Sequence, residues 1–276
     1  MNKKRIAILM ATYHGEKYLR NQIDSIIGQT CHDWTLYIHD DGSTDGTLSV
    51  IKEYVKQYPD RIVLLEYPSQ GGACRNFLSM LERVEADYYM FADQDDVWHP
   101  DKIEKSMDVL LAAERQHPSR PVFVHADLCV IDENGHILHD SFFQYAGIRP
   151  ERMVKYEDYI HTLVTGSTML FNHQVKEACF RRPQTDATMH DAWITLRAIA
   201  DGGIRCTISE PLVDYRQHSG NVLGAEDGNR FTLGYRLSHA QDMVKKNLQH
   251  FRMMKSAGEM NLYMYLKKKY IFFRKK

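Results

Sequence analysis

Short apolar runs alternate with longer amphipathic stretches through the first half of the chain. Arg5–Thr12 is almost continuously apolar and reads as a buried strand. Glu16–Ile27 then carries Tyr18, Leu19, Ile23, Ile26 and Ile27 at helical spacing. The rhythm repeats, with strands predicted at Thr35–His39, Ile62–Tyr67, Asp87–Ala92 and Pro121–Ala126 and helices at Thr44–Tyr58, Ala73–Val84 and Lys102–Arg115. Leu48, Ile51 and Val55 share one face of the second helix; Phe77, Leu78 and Leu81 share one face of the third. Strands joined by crossover helices predict an α/β fold, with a mainly parallel sheet covered by helices on both faces. Such sheets bind ligands outside the carboxyl ends of their strands.

The second half is less regular. Gly166–Phe171 predicts a strand, Asp191–Ala200 a helix, and Cys206–Ile208 and Leu212–Tyr215 two short strands. From Phe231 the pattern is helical, polar and basic. With no internal repeat and no linker, the division is one domain over residues 1–230 and a helical extension over 231–276.

Charge adds an asymmetry that the net value of −1 hides. Of 35 Lys and Arg, 11 fall between Tyr235 and Lys276; of 36 acids, only Asp242 and Glu259 do. An acidic body with a basic tail implies an anionic partner for the tail, and its mixture of aromatics and cations suits a membrane surface. A solvated helix packed on the domain, or a helix in a dimer, remains open. Five widely spaced cysteines without a CxxC pair argue against a zinc site or a disulfide framework and fit a reducing cytoplasm. The apolar stretch after Lys3-Lys4-Arg5 is short for a signal peptide, and no apolar run approaches 18 residues.

Chemistry concentrates where the predicted strands end. His39-Asp40-Asp41-Gly42-Ser43-Thr44-Asp45-Gly46-Thr47 can form a capped turn, yet two adjacent acids exceed what a cap needs. A carboxylate there can accept the N3–H of a pyrimidine or a ribose hydroxyl. Asp93-Gln94-Asp95-Asp96-Val97-Trp98 places three carboxylates in four residues after an apolar strand. A divalent cation relieves their repulsion, and Mg²⁺ is commonly held by one or two carboxylates plus substrate phosphates. The plainer alternative is a solvated acidic loop. Asp191 opens a helix, where a carboxylate is also favoured by the macrodipole alone. In Tyr215-Arg216-Gln217-His218-Ser219-Gly220-Asn221-Val222, Arg216 suits phosphate and His218 suits phosphate or metal.

In order and spacing these clusters resemble the family 2 glycosyltransferases with the GT-A fold. The likeness runs from Ala11-Thr12-Tyr13-His14-Gly15 through Asp40–Thr47 and Asp93–Trp98 to Gly166-Ser167-Thr168-Met169, His190-Asp191 and Tyr215–Val222. The Asp-Gln-Asp-Asp-Val-Trp form, the His-Asp pair and Tyr-Arg-Gln-His followed by Asn-Val-Leu-Gly resemble the rhamnosyltransferase branch of surface-polysaccharide synthesis, as does His125-Ala126-Asp127-Leu128 with Asp132 and His139-Asp140-Ser141.

The resemblance implies roles. Thr12 and Tyr13 line the nucleotide pocket, Asp41 holds the pyrimidine and Asp40 supports its loop. Arg75 and Asn76 contact the nucleotide, and Asp93 sits by the ribose. Asp95 and His218 hold Mg²⁺ or Mn²⁺ on the diphosphate, Asp191 is the general base, and Asp96, Trp98, His190 and Arg216 contact acceptor or phosphate. The implied reaction is an inverting transfer of L-rhamnose from dTDP-L-rhamnose, with a UDP-hexose as the alternative donor. The acceptor is a hydroxyl of a glycan or lipid-linked glycan at the cytoplasmic face of the membrane, and residues 145–165 are placed on the acceptor side. No nucleic-acid partner is expected. A dinucleotide oxidoreductase and a P-loop NTPase lack their glycine motifs here, and a nucleotidyltransferase lacks its triphosphate loop. A non-catalytic nucleotide-sugar-binding module would have no need of both Asp191 and the Asp93–Asp96 cluster.

Overall fold

In the computed structural model, which describes residues 5–149, 164–218, 240–258 and 261–267, the apolar run Ile6–Thr12 forms β1 in the middle of a parallel unit. It pairs with β2 (Trp34–Asp40) on one side and β4 (Tyr88–Ala92) on the other, and β2 pairs with β3 (Ile62–Leu64). The register sets Thr12 beside Asp40 and Met10 beside Ala92. Three neighbouring strands therefore release their following loops at one edge, which brings the two acidic turns together.

Beyond β4 the sheet continues by antiparallel pairing. β8 (Leu170–Asn172) lies between β4 and β6 (Val122–Ile131), antiparallel to both. β6 runs parallel to β9 (Ile204–Arg216), and β9 pairs antiparallel with β5 (Val97–Trp98). β7 (Ile137–His139) adds a hairpin to β6. The order is β3-β2-β1-β4-β8-β6-β9-β5.

Three predicted elements take a different form. The strands expected at Cys206–Ile208 and Leu212–Tyr215 are parts of the single strand β9, interrupted where Pro211, which has no N–H, faces Asp127 across a register shift. Gly166–Phe171 begins as a 3-10 turn over Gly166–Thr168, closed by the Thr168 hydroxyl on the Thr165 carbonyl at 2.8 Å, and becomes extended from Leu170.

The period of two in β1 sends Ile6, Ile8 and Met10 to one face and Ala7 and Leu9 to the other. The first face is covered by α1 (Leu19–Ile27), α2 (Thr47–Gln57) and α4 (Lys102–Gln116). The second is covered by α3 (Ala73–Arg83), α6 (His173–Phe180) and α7 (His190–Ala200). The short α5 (Phe142–Tyr145) is capped by Ser141.

The basic extension forms α8 (Ala240–Ala257) and a helical segment at 262–267. Met253, Met254, Ala257 and Tyr265 join the apolar cluster of the second face, which makes the extension part of that core. Buried Arg197 on α7 fastens it: the guanidinium donates to the carbonyls of Ala178 (3.1 Å) and Ala257 and to Asp201 (2.8 Å). Residues 150–163 of the expected acceptor side at 145–165, the segment 219–222 and the tail beyond 267 lie outside the described residues. Arg197→Met leaves two buried carbonyls without a donor, at about 1–3 kcal/mol each. Its melting temperature in thermal denaturation is expected to fall by roughly 5–10 °C; an unchanged value would refute the clamp.

Candidate functional site

The turn after β2 is built by its own carboxylates. Asp40 Oδ1 accepts the hydroxyls of Thr12 (2.9 Å) and Ser43 (2.6 Å), and Oδ2 accepts the N–H groups of Gly42 (3.1 Å) and Ser43 (2.8 Å). Asp45 accepts from the Thr47 hydroxyl at 2.5 Å. The loop after β1 is tied to the same turn, with the His14 N–H on Ser43 Oγ and the Gly15 N–H on Thr47 Oγ1, each at 2.8 Å. Asp40 thus braces the loop.

Asp41 faces the turn after β3. Its Oδ1 accepts the Ser69 hydroxyl (2.8 Å) and the N–H groups of Gln70 (2.5 Å) and Gly71 (3.2 Å), and its Oδ2 accepts the Gly72 N–H at 2.6 Å. The turn depends on Gly71 and Gly72, whose φ values of 73° and 127° suit glycine. Partial burial acts to raise the Asp41 pKa, but the four hydrogen bonds outweigh it and hold the carboxyl below its usual range. Arg75 follows this loop, exposed. Asn76, expected beside it as a nucleotide contact, is buried at 1% exposure. Its amide lies 2.6 Å from His39 Nδ1, and the His39 ring stacks on Tyr67 at 3.7 Å. Asn76 therefore fixes the end of β2; Thr12, 1% exposed with its hydroxyl on Asp40, is likewise internal, leaving Tyr13, Asp41 and Arg75 around the loops. The Tyr13 ring is exposed and stacks on His14 at 4.1 Å.

Each residue of the second acidic turn points to a different neighbour. Gln94 closes a two-way bond with the backbone of Tyr13, at 2.8 and 2.9 Å. Asp95 Oδ2 meets His218 Nε2 at 2.9 Å. Asp96, fully buried, accepts the Arg216 N–H at 3.2 Å. Burial pushes Asp93 up to about 7, and the charges of Asp95 and Asp191 add to the rise. Burial, with Asp95 and Asp93 nearby, likewise holds Asp96 well above the ordinary carboxylate range. Asp93, Asp95 and Asp191 thus share one electrostatic neighbourhood although Asp191 is about a hundred residues away in sequence.

All four residues expected to contact acceptor or phosphate, Asp96, Trp98, His190 and Arg216, are buried. Arg216 is 4% exposed, with Nε on the Asp95 carbonyl (3.0 Å) and Nη1 on the carbonyls of Asp132 and Glu133 (3.2 Å each). The guanidinium also covers the Tyr18 ring at 4.8 Å, and that ring lies 5.0 Å from His218. Trp98 is 2% exposed, and buried Lys102 Nζ lies over its ring at 3.5 Å. Arg216 and Trp98 support the turn from behind.

Asp191 lies in the first turn of α7, where the macrodipole favours its charge. Its oxygens accept the N–H groups of Gly166 (3.1 Å) and Ala192 (2.6 Å). His190 beside it is 4% exposed, held between Phe77 (4.1 Å) and Phe91 (4.8 Å). Among the described residues neither ring nitrogen has a hydrogen-bond partner, and burial lowers the pKa. A Cβ on Gly166 would lie 2.6 Å from His190 Nε2, so glycine is required by the close packing of this turn on the ring. Nothing in the sequence alone pairs Gly166 with His190 or Tyr18 with Arg216; both need the folded chain.

Among the described residues no three His, Cys, Asp or Glu side chains form a ready metal cage. Asp95 and His218 supply one carboxylate and one imidazole in contact, beside further carboxylates crowded by burial. That donor set fits Mg²⁺ or Mn²⁺ completed by phosphate oxygens.

Residues 7–175 match the family model for glycosyl transferase family 2. The chain belongs to that family. As a family 2 glycosyltransferase it is a transferase enzyme. It is 31% identical over 224 residues to the dTDP-rhamnosyl transferase RfbG of Shigella flexneri, covering 78% of this chain and 74% of that protein. The crystal structure of S. aureus TarS 1–349 in complex with UDP superposes with a TM-score of 0.61 at 15% identity, covering 97% of this chain and 69% of that one. The mannosyltransferase PcManGT from Pyrobaculum calidifontis, in complex with GDP-Man and Mn²⁺, gives 0.61 at 19% identity over 98% and 70%. These structures establish the expected α/β, GT-A type of fold.

Gly166→Ala, by displacing His190 and with it Asp191, is expected to lower glycosyl-transfer kcat at least tenfold, a loss of about 1.4 kcal/mol, with donor affinity retained. Unchanged kcat in steady-state assays would show that this packing does not set Asp191.

Proposed function

We propose that this glycosyltransferase moves L-rhamnose from dTDP-L-rhamnose to a hydroxyl of a polysaccharide or lipid-linked glycan, with inversion and with Mg²⁺ or Mn²⁺. The observation that carries the chemistry is the placement of Asp191, a carboxylate held by the Gly166 N–H and sharing the electrostatic neighbourhood of Asp93 and Asp95. The name of the S. flexneri relative supports the donor.

Asp191 accepts the proton of the acceptor hydroxyl as that oxygen bonds to the anomeric carbon. The bond from that carbon to the diphosphate oxygen breaks, and its electron pair leaves with the nucleoside diphosphate from the opposite face. A divalent cation on Asp95 and His218 would neutralise the charge of that leaving group. Asp93 serves the ribose, and Asp41 with the Ser69–Gly72 loop receives the pyrimidine. Uracil and thymine share the N3–H that a carboxylate reads, so a UDP-sugar is the second donor reading. TarS, the fold neighbour, was solved with UDP.

Asp191→Asn keeps donor binding and lowers turnover by about 10²–10⁴-fold, the usual share of general-base catalysis; near-normal turnover would remove Asp191 from that role. Thermal stabilisation by nucleotide sugars, with Mg²⁺, Mn²⁺ or chelator, tests the donor, since a ligand at a hundred times its Kd adds about 2.7 kcal/mol. The expected result is cation-dependent stabilisation by dTDP-L-rhamnose that Asp95→Ala loses. Selective stabilisation by a UDP-sugar would replace the rhamnosyl assignment, and stabilisation that ignores the cation would remove the metal role.

A further inference from the structure

The basic extension shows two faces. On α8, Met253, Met254 and Ala257 turn into the core. Lys245, Leu248, Arg252 and Lys255, at successive spacings of three, four and three, form a stripe on the opposite face, and all four are exposed. After the turn at Gly258 the chain doubles back. Tyr265 is 3% exposed, packed on Phe251 (5.4 Å) and His250 (5.9 Å), with its hydroxyl 3.4 Å from the Asn247 carbonyl. With Tyr265 held inward, its neighbours face out: Leu262, Tyr263 and Leu266 are 54%, 73% and 55% exposed, next to exposed Lys267. No helix among the described residues is long and apolar enough to cross a membrane.

We propose that this surface docks on an anionic lipid bilayer, with Leu262, Tyr263 and Leu266 entering the interface and Lys245, Arg252, Lys255 and Lys267 meeting lipid phosphates. Cations interleaved with apolar side chains are the composition of an interfacial, in-plane contact. Charge complementarity selects the lipid. A second copy meeting this face across a two-fold axis would bring the cationic stripes together, whereas an anionic surface attracts each one. The following sequence, Lys268–Lys276, adds five cations and no acid. The face lies on the helix that packs against α7, the helix carrying Asp191, so docking would hold the transferase at the surface where a lipid-linked acceptor resides. The docking itself does not depend on which sugar is transferred.

The test is co-sedimentation of the full chain with vesicles of phosphatidylcholine alone and with about 30% phosphatidylglycerol. The expected result is partition to the anionic vesicles, weak partition to neutral ones, and loss in high salt. Each cation near such a surface contributes about fivefold, so Lys245→Gln/Arg252→Gln/Lys255→Gln should lower partition by about a hundredfold. Leu262→Ser/Tyr263→Ser/Leu266→Ser should also lower it, and both variants should keep the parent melting temperature and turnover on a soluble acceptor. Lost partition with retained turnover separates this surface from the active-site assignment. Equal partition to neutral and anionic vesicles, unchanged partition in the variants, or a dimer in light scattering that the serine variant dissolves would each overturn the proposal.

Discussion

The site rests on a concentration of negative charge that the parallel register creates and the fold then has to hold. β1, β2 and β4 end side by side, so their loops bring Asp40, Asp41, Asp93, Asp95 and Asp96 to one edge, and α7 adds Asp191. Buried like charges cannot all stay ionised without partners. The chain divides them into two groups. Asp40, with Asp45 beside it, accepts hydroxyl and backbone N–H donors of its own turn and acts as an internal brace, while Asp41 is held by the N–H groups of the turn after β3, with a single donor on its Oδ2. Asp93 and Asp96 stay in conflict with burial and with each other, which raises their pKa values. Such conflicts of buried charge cluster at functional sites.

The parallel half of the sheet was legible because each of its strands and helices carries its own period. β1 and β4 are nearly continuous apolar runs, β2 alternates buried and half-buried positions, and α1 to α4 have apolar residues at helical spacing. The acidic turns were legible for a related reason: three carboxylates in four residues after an apolar strand conflict with local solvation and call for a partner. β5, β7, α5 and α6 were not foreseen. β5 has two residues and β7 three, with Ile137 and Leu138 exposed, so neither carries a burial pattern, and both exist because β9 and β6 offer an edge. The break in β9 looked like two strands because proline interrupts the pattern while the partner strand absorbs the shift.

The roles of individual polar residues were less legible than the motifs that hold them. Composition identifies Arg216, Trp98 and Asn76 as able to meet a ligand, but whether a side chain faces the ligand or the core is decided by tertiary contacts. Arg216 projects from the end of β9 onto three backbone carbonyls, and Asn76 turns back to His39. His218 lies two residues beyond Arg216 and is the one that reaches Asp95. In the proposed metal role the pair works as anchor and ligand. The anchor fixes the strand end so that the imidazole arrives at the carboxylate.

The turn Asp93-Gln94-Asp95-Asp96 is where these dependencies meet. Gln94 requires the loop after β1, Asp95 and Asp96 require the end of β9, and Asp93 feels the charge of Asp191 on α7. Arg197, seven residues from His190 on α7, ties that helix to α8. Four consecutive residues therefore report on elements that span most of the described chain. The proposed cation site could not assemble while the second half of the domain is loose, because His218 comes from there. Metal and donor binding should therefore stabilise the β9 and α7 regions together with the parallel sheet, since only the state with both in place is competent to bind.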